Sequence, residues 1–352
     1  MKIIFDCERM KYPHTGLYHF CHHLGNALKE EAVQYNHNIS FFVRESERLS
    51  FGKDAEIIKQ NSLHKFWMPS LHSYQIWQAT YQGTHYFPYR SKIRKVLTIH
   101  DLNFLYEHAS DESKKKKELK RLQDKIDRSD AVVAISNFVM NDILNHLKVQ
   151  ESKVRVIYNG CNIQQILNTD KPEISPSQPF LYTIGTINEK KNFHVLPALL
   201  KSFDGVLVIS GVTQDPVYRE KIIQESKRHQ VEDRVIFTGP VAESEKQWYL
   251  RHCEAFVFPS LAEGFGLPVI EAMYFGKPTL LSTRTSLPEI GGEESYYFDD
   301  FDPEHMQQIM LKCLENSNQP EKIEKIKRRS SEFSWKSAAI HYHELYDEII
   351  KQ

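Results

Sequence analysis

Seven residues separate Glu263 from Glu271 in the run Ser260-Leu-Ala-Glu-Gly-Phe-Gly-Leu-Pro-Val-Ile-Glu-Ala272. A short apolar run, Ala255–Pro259, leads into it. Gly264 and Gly266 let the backbone turn tightly and approach a ligand closely, and Pro268 stands where a helix would begin. The unpaired N–H groups of such a helix start, with its partial positive charge, form an anion cradle. Glu263 then lies in the turn and Glu271 in the first helical turn, both being carboxylates suited to accept from vicinal hydroxyls. An ordinary strand–loop–helix with a glutamate favouring the dipole would use the same residue types.

A second element, Thr183-Ile-Gly185-Thr-Ile-Asn-Glu-Lys190-Lys191-Asn192, also follows an apolar run. Adjacent lysines just past a glycine turn can neutralise a diphosphate as point charges, although a solvated charged turn is the commoner fate of a lone Lys-Lys pair. In the first half, Thr98-Ile-His100-Asp101 closes an apolar run. A histidine there is suited to donate to a hydroxyl or a developing oxyanion, or it is simply satisfied by its neighbours. Gly16, in Pro13-His-Thr-Gly-Leu17, would let N–H groups face a phosphate.

The elements that must hold these residues are legible as short β-branched runs alternating with helical periodicity. In the first half the runs are Lys2–Asp6, Ile39–Val43, His85–Pro88, Val96–His100, Ala131–Ser136 and Val154–Tyr158. In the second they are Phe180–Gly185, Val206–Gly211, Val235–Gly239, Ala255–Pro259, Thr279–Ser282 and Tyr296–Phe298. Runs apolar on consecutive residues are buried parallel strands of βα units. Leu17, Phe20, Leu24, Ala27 and Leu28 form one helical stripe; Phe138, Ile143, Leu144 and Leu147 form another, with Ser136 or Asn137 as N-cap. The alternation restarts after a proline-bearing stretch without apolar period. This predicts a first domain over 1–168, a linker over 169–179, a second domain over 180–334 and a terminal helix over 335–352. Ligands of doubly wound sheets sit at the carboxyl ends of the strands.

Composition narrows the function classes. The chain has 352 residues, 45 Lys+Arg against 46 Asp+Glu, and a net charge of −1, which excludes a nucleic-acid binder working through bulk positive charge. The charge is split, residues 1–168 carrying +6 and the remainder −7. Five scattered cysteines, never in C-x-x-C spacing, fit a reducing compartment and not a disulfide framework or a zinc site. The first ten residues do not read as a signal peptide, and no run approaches the roughly 20 apolar residues of a membrane span. Asp300-Phe-Asp302 reads as a solvated loop, and of His14, His19, His22 and His23 the last three fall along a helix that carries a core stripe, so no metal is expected. A Rossmann dinucleotide fingerprint and a P-loop are both absent from the sequence.

Together these elements resemble the retaining glycosyltransferases of family 4. Glu263–Glu271 matches the family's E-x7-E element within Pro-Ser-x-x-Glu-Gly-Phe-Gly-Leu-Pro-x-x-Glu-Ala-Met, and Gly185–Asn192 its Gly-Thr-x-x-x-Arg/Lys-Lys-Asn element. Val156–Gly160, Ala134–Phe138 and Thr98–Asp101 are supporting landmarks. The resemblance implies the GT-B fold, two Rossmann-like doubly wound α/β domains facing across a cleft, with the donor bound mainly by the second. It implies that Lys190 and Lys191 hold the donor diphosphate, Glu271 the ribose and Glu263 the sugar hydroxyls. Gly185 and the backbone of Phe265, Gly266 and Leu267 line the donor pocket, His100 reaches the transferred sugar, and Gly16 approaches the phosphates. It implies transfer with retention and no cofactor, the nucleotide-sugar being a substrate. The chain departs from the family pattern where one glycine, Gly16, replaces two, and where Lys190 replaces the more frequent arginine.

The resemblance points to surface polysaccharide synthesis on a glycan or lipid-linked glycan acceptor, with GDP-mannose expected ahead of a UDP-sugar. Lys114–Lys117, Lys120 and Arg121, with the aromatic stretch Phe66–Tyr89, suggest a cytoplasmic protein peripheral to an anionic membrane surface. Another GT-B chemistry, epimerase or phosphorylase, and a non-catalytic glycan-binding scaffold are the alternatives.

Overall fold

The computed structural model describes residues 1–13, 15–107, 111–161, 163, 166, 171–316 and 319–351. They divide into two compact units, Met1–Gly160 with Phe333–Gln352, and Cys161–Glu332. Each is built on one parallel sheet, and no helix is long and apolar enough to cross a membrane among the described residues.

The first unit's strands are β1 (Lys2–Asp6), β2 (Asn38–Val43), β3 (Glu56–Lys59), β4 (Ile76–Ala79), β5 (Arg94–Ile99), β6 (Ala131–Ala134) and β7 (Val154–Val156), in the order β3-β2-β1-β4-β5-β6-β7. Its helices are α1 (Gly16–Glu31), α2 (Phe104–Glu107), α3 (Glu112–Asp127) and α4 (Asn137–His146). The second unit's strands are β8 (Phe180–Ile184), β9 (Val206–Ser210), β10 (Val235–Gly239), β11 (Ala255–Phe258), β12 (Thr279–Ser282) and β13 (Tyr296–Phe298), in the order β10-β9-β8-β11-β12-β13. Its helices are α5 (Pro216–Arg228), α6 (Glu243–His252), α7 (Leu267–Tyr274), α8 (Leu287–Gly291), α9 (Pro303–Asn316) and α10 (Pro320–Ser331). Helix α11 (Trp335–Lys351) returns to the first unit.

Strand order reverses between β1 and β4 in one sheet and between β8 and β11 in the other, and such reversals are where doubly wound sheets open a crevice. β6, β9, β11 and β12 are buried at every position, which is why they read as short apolar runs; β4 is buried throughout as well.

Two strands escape that reading, and one expected strand is absent. His85–Pro88 is a loop: Tyr86 and Phe87 are buried, but the place beside β1 belongs to Ile76–Ala79. Gln78 interrupts β4's apolar character, its amide donating to Thr98 Oγ1 at 2.9 Å and its carbonyl accepting from Tyr346 Oη at 3.0 Å. β3 is an edge strand with only Ile57 and Ile58 apolar. The units divide at Gly160/Cys161 and Glu332/Phe333, displaced from 168/169 and 334/335. Residues 169–170 of the expected linker lie outside the described residues, as does His14. The remainder belongs to the second unit, where Tyr249 donates to the Ile174 carbonyl and Val206 N to the Pro179 carbonyl.

Helix α11 buries Ala338, Ala339, Tyr342, Leu345, Tyr346 and Ile349 against the first unit's core, with α1 as its main partner. Tyr342 Oη is 2.8 Å from Thr98 Oγ1 on β5, so the helix is tied to the middle of the sheet. Gly160 permits the entry of α11: a Cβ there would lie 2.0 Å from Trp335 N. Of the five cysteines, Cys7, Cys21, Cys253 and Cys313 are buried and Cys161 half-buried, and none is in a disulfide among the described residues.

Candidate functional site

β8 and β11, which flank the second unit's reversal, each end in one of the two elements singled out in the sequence. Beyond β8 the chain passes Gly185 and forms a single turn, Glu189–Lys191, closed by Asn192 in the left-handed conformation at φ 57°. Gly211 lets the neighbouring loop approach: its φ is +135°, and a Cβ there would stand 1.9 Å from the Gly185 carbonyl oxygen. Beyond β11, the Ser260–Gly266 loop ends with Gly266 at φ 109° as the N-cap of α7. Leu267 is thus the first helical residue and Pro268 the second. Glu271 is the fifth, in the second turn and not the first as its spacing suggested.

The two loops are joined by a cluster of hydrogen bonds. Lys191 Nζ donates to Glu263 Oε1 at 2.5 Å, with the two side chains only 13% and 14% exposed. Ser260 Oγ donates to the same Glu263 oxygen at 2.6 Å, and also approaches the Lys190 carbonyl at 3.2 Å. Leu261 N donates to that carbonyl at 2.8 Å. Glu263 N donates to Thr285 Oγ1 at 2.9 Å, while Ser286 Oγ donates to the carbonyls of Glu263 and Phe265 at 2.9 and 3.0 Å. The Lys191 ammonium also lies 4.7 Å from the centre of the Phe258 ring. Phe265 is buried, leaving its backbone as the part that lines the loop.

Glu271 is held separately. Lys246 Nζ, from α6, donates to its Oε1 at 2.8 Å and is 2.9 Å from Glu243 Oε2. Burial by itself would lower the Lys246 pKa, but the carboxylates of Glu271 and Glu243 outweigh it and raise it. Burial, together with the Glu271 charge, pushes the nearby Cys161 thiol well above its ordinary range. Thr183 Oγ1, Asn188 Oδ1 and Asn192 Nδ2, on β8 and its loop, are buried without a hydrogen-bond partner in the protein. Such groups cost free energy unless something else meets them. The site can therefore accept from hydroxyls and meet an anion with ammonium and backbone N–H groups.

His100 and Gly16 lie on the first unit. Gly16 begins α1 behind the N-cap Thr15, with open space where a Cβ would stand. His100 follows β5, is 7% exposed, and its Nε2 lies 2.8 Å from the Thr80 carbonyl. A carbonyl only accepts, so Nε2 carries the proton. Burial lowers the imidazole pKa to about 4, against the raising effect of that hydrogen bond. A neutral His100 that donates its Nε2–H to Thr80 presents Nδ1 as an acceptor for a hydroxyl. Phe20 packs edge-on at 4.5 Å between ring centres.

Sequence reasoning assigned no role to Ser260, whose only signal was its place beside Pro259, or to Lys246, which carries no local signal at all. It also passed over Asp6, buried at the end of β1, where burial raises the carboxyl pKa to about 7 against the Thr84 hydroxyl bond. Asp300 pairs with His305 at 3.0 Å and Asp302 accepts from Glu304 N at 3.1 Å and His305 N at 3.1 Å, at the start of α9. Among the described residues, no three His, Cys, Asp or Glu side chains are grouped as a metal site.

The family model described as Glycosyltransferase Family 4 matches residues 17–165, and that described as Glycosyl transferases group 1 matches residues 165–330. The chain belongs to the group 1 glycosyl transferases of family 4.

As a family 4 member, it has curated relatives of low identity. It is 28% identical over 234 residues to the serotype-specific mannosyltransferase WbdA of Escherichia coli, covering 60% of this chain and 28% of WbdA. The match thus spans little more than a quarter of that relative. It is 24% identical to the O-antigen chain mannosyltransferase B of Escherichia coli, covering 96% of this chain and 97% of that protein. Among solved structures, the sucrose-phosphate synthase of Thermosynechococcus elongatus superposes with a TM-score of 0.77 at 18% identity, covering 100% and 99% of the two chains. HepE of Anabaena, solved with UDP and glucose, superposes with a TM-score of 0.74 at 18% identity, covering 99% of each. Both are similar in fold, and the two parallel-sheet units have the GT-B architecture.

Proposed function

We propose that this family 4 member is a retaining hexosyltransferase that moves a sugar from a nucleotide-sugar to a glycan or lipid-linked glycan acceptor in surface polysaccharide synthesis. The observation that carries the reading is the ion pair between Lys191 and Glu263, which joins the loops after β8 and β11 at the strand-order reversal. Lys191 keeps N–H groups for the donor diphosphate, beside Lys190, with Gly185 behind them. Glu271 accepts from the ribose hydroxyls and Glu263 from those of the sugar. The backbone of Phe265, Gly266 and Leu267 completes the donor pocket. Gly16 and His100 are the first unit's contributions to substrate contact.

In this reaction the bond between the anomeric carbon and the diphosphate oxygen breaks. The acceptor oxygen bonds to that carbon from the same face, and its proton passes to the departing diphosphate. Glu263 Oε1 already accepts from an ammonium and a hydroxyl, which lowers its nucleophilicity and suits a positioning role. Charge stabilisation and positioning are then the protein's part. The two lysines meet the diphosphate charge, so no metal or other cofactor is proposed.

GDP-mannose is the favoured donor, supported by the mannosyltransferases among the relatives, with a UDP-sugar next. The proposed setting is the cytoplasm, at the inner face of an anionic membrane. The test is thermal-shift binding of UDP, GDP, ADP and their sugar conjugates to wild type and to Glu271→Ala. One nucleotide family should raise Tm with concentration in wild type and not in the variant. No shift with any nucleotide at millimolar concentration would overturn the reading. With the donor known, the anomeric configuration of the product distinguishes retention from inversion, and turnover of donor without acceptor would point to epimerisation.

A further inference from the structure

The first unit carries a groove of about 1250 Å³ whose walls are the segments leading into β4 and β5. It therefore lies at the amino ends of those strands, the opposite end from His100. No aspartate or glutamate lines it. Phe66 and Trp67, adjacent on one wall, are each 78% exposed, and Tyr89 on the other is 41% exposed. Lys65, Arg90 and Lys92 line the same groove, are exposed, and form no salt bridge among the described residues. Arg94 differs, being neutralised by Asp130 at 2.7 Å. The sequence shows the same bias, since residues 57–100 contain six Lys or Arg and no Asp or Glu.

Two neighbouring aromatic side chains this exposed are costly in water unless a partner covers them, and the partner must be negative to suit the three free cations. We infer that this groove is a docking face for an anionic lipid bilayer. Phe66 and Trp67 enter the level of the headgroups, and Lys65, Arg90 and Lys92 meet lipid phosphates. Aromatic side chains favour that depth because their rings are apolar while the surroundings remain polar, and each cation adds attraction that salt weakens. The carboxyl ends of β4 and β5, where His100 lies, stay uncovered. The inference deepens the membrane setting proposed above, yet it stands on the groove and not on the donor chemistry.

The test is flotation of the full chain with vesicles of phosphatidylcholine alone and with about a third phosphatidylglycerol. Wild type should float with the anionic vesicles and be released by salt. The double variant Phe66→Ser/Trp67→Ser and the triple variant Lys65→Glu/Arg90→Glu/Lys92→Glu should each weaken binding roughly tenfold or more. All substituted side chains are exposed, and an unchanged melting temperature confirms that the variants are folded. Absence of flotation with either vesicle, as for a face that meets an acidic protein instead, overturns the inference. So does anionic-vesicle binding that both variants retain. Nucleotide-induced shifts are measured on the same proteins, so a failure of the transferase reading shows separately from a failure of the docking face.

Discussion

Lys191 and Glu263 are 72 residues apart in the chain and 2.5 Å apart in the fold. Each belongs to the loop after one of the two adjacent strands that flank the second sheet's reversal. The pair makes one positive and one negative group available at the same spot, which is what a ligand combining phosphate and hydroxyls requires.

Removing one partner tests the pair. Lys191→Ala should lower kcat/KM roughly 10²-fold or more, because a cation facing developing diphosphate charge is lost. It should also destabilise the second unit by about 1–3 kcal/mol, since Glu263 is left largely buried with only the Ser260 hydroxyl. Lys191→Arg should restore stability better than activity, the guanidinium having a different reach and shape. Steady-state kinetics and urea denaturation of the three proteins are the measurements.

Glu271 should be separable from Glu263. Glu271→Gln is expected to weaken nucleotide binding by roughly tenfold, as a charge-assisted hydrogen bond to a hydroxyl becomes a neutral one. Lys246→Met should weaken it too although Lys246 is not assigned to the substrate, because Glu271 loses the ammonium that holds its carboxylate in place. Calorimetric titration with the nucleoside diphosphate alone reads both effects, and equal binding by wild type and Lys246→Met would remove the positioning role.

The neutral state of His100 predicts a pH dependence. Its folded pKa of about 4 lies below the ordinary 6.5, so between those values the unfolded chain binds more protons. The contribution is fully present above pH 6.5 and is lost as pH falls towards 4, up to on the order of 3 kcal/mol. Asp6 acts in the opposite direction: its carboxyl, raised from 3.8 to about 7 mainly by burial, favours the fold at low pH and loses that contribution as pH rises through 7. The stability difference between wild type and His100→Gln isolates the histidine. It should shrink from pH 7 to pH 5 in urea titrations, and a pH-independent difference would show that His100 binds its proton in the fold as it does in the unfolded chain.

Gly160→Ala tests how α11 is seated. The added methyl would meet the Trp335 backbone nitrogen at 2.0 Å, so either the chain before α11 shifts or contacts with α1 are lost. A destabilisation of about 2 kcal/mol or more is expected. Tyr342→Phe, which leaves Thr98 without its partner on α11, should cost about 1 kcal/mol. Hydrogen exchange of α11 and α1 would locate both effects in the first unit.

Much of this protein is written locally. Twelve apolar runs announce the strands, and eleven are found, because a parallel strand buried on both faces has to be apolar at consecutive positions. The glycine turns after β9 and β11 are equally plain, since the close approach of Gly211 to the Gly185 carbonyl and the positive φ at Gly266 leave few alternatives to glycine. β4 was hidden because Gln78 is buried by partners on β5 and α11 that no local pattern reveals. Tyr86 and Phe87 misled in the other direction, being buried by packing without belonging to a strand. For the candidate site, the sequence determined which residue types follow which strands. Only the tertiary structure decided that Lys191 meets Glu263, that Lys246 holds Glu271, and that the Nε2–H of His100 is hydrogen-bonded to the Thr80 carbonyl. Those are contacts between elements distant in the chain, set by strand order and helix packing, and the periodicity of a single segment carries no information about them.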